Sequence, residues 1–413
     1  MKNFIYPFLG LCFLLTLNSC EKNNDELYED YLVARPLTMS VEEFKNSVDI
    51  IAPIPVNESG KIYAYDQYIF VNDKYKGVHV IDNSDPGNPQ KISFIKIAGN
   101  VDISVKDNYL YADSITDLMV FDISDIGNIQ IVNRLENVLR DNVVWPVEAD
   151  FFEYGNWDYE NEILIGWEVV TERRLISDYE QRWGQVDILL AEANDAGNVG
   201  QGGSLARFKI VEDYLYAVDS HNINVFDISD LENPVDLEDV YAGFDIETIF
   251  YNGQYLFLGS MRGMYIYNLS VPASPEFVSE FQHGTACDPV VVDGDYAYVT
   301  LRGGNNCGAT ESGLFIVDIS NISNPELAVS YPMDEPYGLG VKEEKLFVCD
   351  GASGLKVYNK TDVNNLELLN HFEDIVTFDV IPLSNHLLMV GDDILYQYEY
   401  SEEGISLLNS LPL

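Results

Sequence analysis

Basic residues are what this chain has least of. Lys and Arg number 23 against 68 Asp and Glu, a formal net charge of −45. Nucleic acid is excluded as a ligand, because its phosphates demand Lys and Arg. Docking on anionic lipid by charge is disfavoured for the same reason. Histidine is scarce too: His79, His221, His283, His371 and His386 sit at no zinc spacing, and HExxH is absent. No GxSxG elbow occurs, and Gly351–Gly354 (GASG) fits a turn. The glycine-rich 197–203 lacks the GK[ST] of a phosphate loop, and DGD at Asp293 lacks calcium-loop spacing. No catalytic residue, metal or cofactor is therefore expected. Enzymes can assemble sites from distant segments, so the missing motifs weaken the case for an enzyme without closing it. Beyond the first 20 residues no apolar run is long enough to span a membrane. Sustained helical periodicity is missing as well.

What is present is a repeat. GVHVIDNSDPGNP begins at Gly77, LMVFDISDIGNI at Leu118, INVFDISDLENP at Ile223 and GMYIYNLSVPASP at Gly263. GLFIVDISNISNP begins at Gly313, GLKVYNKTDVNNL at Gly354 and the degraded ILYQYEYSEEG at Ile394. The equivalent positions Asp82, Asp122, Asp227, Asn268, Asp318, Asn359 and Glu399 are spaced 40, 105, 41, 50, 41 and 40 residues apart. A surviving period near 40 marks a repeat architecture. Each core is a strand ended by Asp-x-Ser and Asn-Pro, residues that turn the backbone. A tyrosine-rich strand precedes it, as in Lys106–Ser114 (KDNYLYADS), behind a hairpin turn such as Asn252-Gly253. Another strand follows the Asn-Pro. Four antiparallel strands per unit make one propeller blade. The expected fold is an all-β propeller of seven four-stranded blades over 61–413, with one insertion at 134–205 between blades two and three.

The repeat cores resemble the LVIVD repeats of bacterial and archaeal cell-surface proteins. That resemblance implies a β-propeller and no particular activity. Glu399 departs from the motif.

Residues 1–19 read as a secretory signal: one Lys, then an apolar run from Phe4 to Leu17. Leu17-Asn18-Ser19-Cys20 resembles the lipobox of bacterial lipoproteins, which implies cleavage before Cys20 and acylation of it. Two or three acyl chains anchor stably. The chain is thus expected at the outer membrane, lipid-anchored, on the cell surface or the periplasmic face. Residues 20–60 are a tether and preamble. Glu21–Tyr31 reads as a polar acidic tether, Val41–Asn46 as a helical turn or two, and Val48–Ile54 as a strand or a packed segment.

The insertion rises from the face where loops joining strand four to the next blade meet loops joining strands two and three. All four tryptophans lie in it: Trp145, Trp157, Trp167 and Trp183, with Arg140, Arg173, Arg174 and Arg182. Glu162–Thr171 reads as a strand, 185–193 as a strand or short helix, and 197–204 as a flexible stretch. Exposed Trp and Arg mark binding surfaces, whereas buried Trp would be the insertion's own core. Cys287 and Cys307 fall in two loops of one blade on this face, and export favours a disulfide between them. Cys349 lies within a strand and reads as buried. The same face gathers Asp102, Asp113, Asp117, Asp219, His221, Asp245, Arg262, Asp288, Arg302, Asp350 and Asp392 around the central opening. They read as solvated turn residues or as a ligand site. The function expected is binding of a glycan or protein partner. The alternatives are a hydrolase or lyase on polysaccharide or small esters, and a non-catalytic subunit of an envelope complex.

Overall fold

The computed structural model describes residues 28–139, 146, 149–155, 157–176, 200–284, 289–303 and 312–413. Within them the repeats fold as seven antiparallel blades, each with its four strands in chain order from the axis outward. Blade one spans Ser59–Lys96 and blade two Ile103–Leu135. Blades three to seven begin at Phe208, Phe250, Val290, Leu339 and Asp379. The tyrosine-rich segment is strand two and the repeat core is strand three, as the pattern predicts. Turns such as Gly253 and Gly294, both at positive φ, join strands one and two. Adjacency in sequence thus becomes adjacency in space, as hairpins require.

The repeat's Asp is a turn-former. Asp82, Asp122, Asp227 and Asp318 each accept the N–H of the Ser two residues on, at 2.8–2.9 Å. Hydrogen bonds from the hydroxyl and the N–H of that serine together hold all four carboxyls below the usual range. Asn268 and Asn359 make the same bond to Ser270 and Thr361. Blades are joined by apolar cores and by tyrosine hydroxyls. Tyr111 Oη donates to Leu231 O of the next blade at 2.9 Å, and Tyr216 Oη to Pro272 O at 2.8 Å.

Among the described residues, no strand is exchanged to close the ring. Blade seven is completed by the carboxy-terminal strand Gly404–Pro412, and blade one supplies its own four strands. The seam is a side-chain interface. Ile62, Ile69 and Val71 pack on Ile381, Leu388 and Val390. Asn83 and Gln397 exchange two hydrogen bonds at 3.1 and 2.7 Å.

Two segments differ from expectation. Glu21–Tyr31 is not polar tether throughout: a 13-residue strand starts at Tyr28 and runs to Ser40. It pairs antiparallel with Glu162–Leu175 of the insertion and parallel with Phe151–Phe152. Preamble and insertion therefore form one accessory sheet. The sheet lies on loops of blades one and two, with Ala34, Leu164 and Trp167 packed on Tyr75 and Val101. A short helix, Val41–Lys45, begins in a Ser40–Glu43 capping box and buries Phe44 against Ala98 and Ile115. Asp49–Ile51 then adds an outer fifth strand to blade one.

The second difference is at the insertion's end. The stretch read as flexible is, from Gly200, a strap across the channel. Gln201 and Gly202 pair with Ala64 and Tyr63 on the innermost strand of blade one. Gly200 N–H donates to Val105 O of blade two, and Leu339 N–H of blade six to Ser204 Oγ at 2.7 Å. The glycines serve close approach rather than freedom. A Cβ on Gly200 would lie 2.1 Å from the Tyr63 ring, and one on Gly203 1.8 Å from the Asp379 carboxylate.

Candidate functional site

The strap meets a buried charged ring. By register from the hairpin that follows, Lys61, Asp102, Arg207, Thr248, Pro289, Gly338 and Asp379 occupy equivalent positions at the entrance to the innermost ladder of successive blades. Four of these positions are charged. Asp102 lies 3.7 Å from Lys61 Nζ and accepts the N–H groups of Arg207 and Phe208, so it also fixes the entry to blade three. Burial pushes the Asp379 carboxyl up to about 8, against the opposing pull of Val380 N–H and Lys61. Lys209 and Glu247 are buried beside this ring in sequence, and burial holds Lys209 well below the ordinary lysine range. Below the strap a cavity of about 210 Å³ is lined by Gln201, Phe250, Tyr251, Val291, Leu339, Val380 and Pro382.

The outer surface of this face carries two aromatic groups. The first belongs to the insertion and grades from core to solvent. Trp167 is buried, with Phe152 and Tyr154 at its edges. Tyr154 stacks on half-buried Trp157 at 6.5 Å and 19°. Trp157 meets Tyr159 edge-on at 6.0 Å, and Tyr159 is 80% exposed. The second lies between blades three and four. Phe244 is packed edge-on against His221 and Tyr241, and Arg262 lies over the Phe244 ring and bonds Asp245 at 2.9 Å. On blade five, Arg302 covers the Tyr337 ring at 4.1 Å.

The family model described as the LVIVD repeat matches residues 58–94, 98–135, 202–240 and 283–332. The chain carries LVIVD repeats on a propeller fold. Those matches are blades one, two, three and five, the four whose turn-former is Asp. Blades four, six and seven carry Asn268, Asn359 and Glu399 there, and the fold supplies what the motif does not. No curated protein matches the sequence. Similar solved structures include the computationally designed Ika8 protein, at 9% identity over 88% of this chain and 89% of that one, TM-score 0.49. Hsv2 of Kluyveromyces lactis is 12% identical over 86% and 99%, TM-score 0.49. BamB from Moraxella catarrhalis is 10% identical over 91% and 92%, TM-score 0.47.

In this LVIVD-repeat propeller the acids grouped in the sequence do not converge on one opening. Asp113 is buried and accepts Val101 and Asp102 N–H; Asp350 likewise takes Asp334 and Glu335 N–H. Asp73 does the same for Asn57 and Glu58. Each carboxylate at the end of strand two thus pins the loop entering its own blade. Asp219 accepts the His221 and Asn222 N–H groups, and Asp117 accepts the Arg134 guanidinium and the Asn137 N–H. Asp392 sits exposed in a tight turn. Only Asp102 among them belongs to the channel ring. Asp245, His221 and Arg262 do come together, around Phe244. Cys20, Trp145, Trp183, Cys287, Asp288 and Cys307 lie outside the described residues. Cys349 is buried, and its thiol is pushed well up by burial.

Sequence reasoning missed Lys61, Arg207 and Asp379, and the exposed rings Tyr154, Tyr159, Tyr241 and Phe244. The ring position was available in principle: aligned blades place a charge there in four copies, at the entrance to an apolar run.

Proposed function

We propose that this protein is an extracytoplasmic binding protein, lipid-anchored through Cys20 at the outer membrane. In this reading its propeller presents the insertion-bearing face to a glycan or protein partner. The observation that carries the reading is the ledge Tyr154–Trp157–Tyr159. A buried Trp167 anchors it at one end, and the other end is exposed. Rigid aromatic area held on a packed scaffold favours binding because little side-chain entropy remains to be lost. A Cys287–Cys307 disulfide would brace a neighbouring loop of the same face.

Tryptophan emission tests the binding role, since every Trp lies in the insertion. Titration with glycans and with detergent-extracted envelope proteins is expected to shift the emission of the wild type. Tyr159→Ala is expected to abolish that shift with folding intact. Emission unmoved by every titrant would overturn the reading. Anchoring has its own test: Cys20→Ala moves the protein from the membrane fraction to the soluble one, and continued membrane association refutes a lipid anchor.

A further inference from the structure

Blade three is the copy whose outer strand is interrupted. Val235–Asp236 and Val240–Tyr241 pair separately with strand three, where blades two, four and five have one continuous strand. Repeats that break their own rule do so where something other than folding is being served. The break turns Tyr241 outward opposite Asn222, and Ala242 N–H closes on His221 O at 2.7 Å. The loop then passes Gly243 at φ +131° and Asp245 at φ 63°. Its result is two exposed aromatic rings, Tyr241 at 59% and Phe244 at 53%.

We propose that these residues form a subsite for a neutral oligosaccharide. It rests on the reading of this face as a binding surface. The Tyr241 and Phe244 rings stand 6.1 Å apart at 86°, two perpendicular walls of a corner. A pyranose has an apolar face of C–H bonds and a rim of hydroxyls. The walls offer aromatic surface to the first. Arg262, exposed beside Phe244 and held there by its 2.9 Å bond to the buried Asp245, offers its guanidinium to the second. Charge selects among sugars. At −45 the protein repels polyuronates and sulfated chains at long range, and one arginine already bonded to Asp245 does not offset that. An uncharged chain meets no such barrier.

The test is calorimetric titration of the full chain in detergent with cellohexaose, maltohexaose, mannohexaose and hexagalacturonate. Binding of at least one neutral hexasaccharide is expected, with hexagalacturonate at least tenfold weaker. Tyr241→Ala is expected to weaken that binding about tenfold or more, and Tyr241→Phe to keep it within about threefold. Both changes lie at an exposed ring, and an unchanged circular-dichroism melt verifies folding. Preference for hexagalacturonate overturns the inference. So does neutral-sugar binding that Tyr241→Ala leaves intact; if Tyr159→Ala then removes it, the broader binding role survives on the insertion ledge. If no saccharide binds while an envelope protein still shifts tryptophan emission, the carbohydrate subsite fails and the proposed function stands.

Discussion

The blades and the accessory sheet are both antiparallel β-structure, yet they are built on opposite principles. A blade is made of hairpins from one stretch of about 40 residues. Its turns are written locally, as in Asp122 to Ser124 and Asp125 to Gly127. The accessory sheet pairs Tyr28–Ser40 with Glu162–Leu175, across the whole of blades one and two. Its core is small: Tyr31, Val33 and Phe151 on one side, and a patch against Tyr75 and Val101 on the other. Regular, locally encoded elements make up the ring, while the irregular, distantly paired element carries the Tyr154–Trp157–Tyr159 ledge. That division is the usual one between scaffold and binding loops.

The largest expected effect is a direct test of this division. Phe226 is fully buried between blades two and three, and Phe226→Ala is expected to cost about 3–5 kcal/mol in chemical denaturation. Phe151→Ala should instead loosen the accessory sheet alone. Hydrogen exchange at Val33 would quicken, and the main unfolding transition would move less than half as far. Equal shifts in the main transition would merge the two regions into one cooperative unit.

Next comes the strap, which belongs to the insertion but holds the ring. Gly203→Val drives a side chain into the Asp379 carboxylate and should cost about 1–3 kcal/mol, the range for overpacking. A melt identical to wild type would show that the strap is passive.

Opposite pH slopes sharpen the contrast further. The folded values of Asp82, Asp122, Asp227 and Asp318 lie below their unfolded ones. Their contribution is present above the unfolded range and is lost as pH falls through the folded values. Asp379 runs the other way. Its folded value of about 8 lies above the ordinary 3.8, so stability is full below pH 3.8 and declines as pH rises toward 8. Asp379→Asn should flatten the slope between about pH 4 and 8, read from denaturation midpoints, and leave the acid limb unchanged. A slope unchanged in the variant would remove Asp379 as its source. The smallest effect expected is that of Tyr111→Phe. It deletes one inter-blade hydrogen bond to Leu231 O and should cost about 1 kcal/mol in the same denaturation assay.

Much of the scaffold was readable before any coordinates. The turn residues of the blade lie within four positions of each other, so Asp-x-Ser, Asn-Pro and Asn-Gly announce strand ends wherever they occur. The candidate sites were less legible. Asp113 and Asp350 look like Asp102 in sequence, being acids beside strand ends, yet they pin the loops entering their own blades, whereas Asp102 faces Lys61 and the entry to the next blade. His221, Asp245 and Arg262 were singled out individually, and their meeting around Phe244 was not. An exposed Tyr or Phe is indistinguishable in sequence from the buried ones that fill every blade.

The sequence by itself determined the all-β blades, their repeat and their turns, because those rest on contacts between near neighbours in the chain. Tertiary structure alone decided that Tyr28–Ser40 is a strand, that 200–204 crosses the channel, and that Lys61, Asp102 and Asp379 share a buried ring. The physical reason is separation. Those pairings join residues more than 40, and in places more than 300, positions apart, where no local propensity records the partner and only the closed ring brings it within reach.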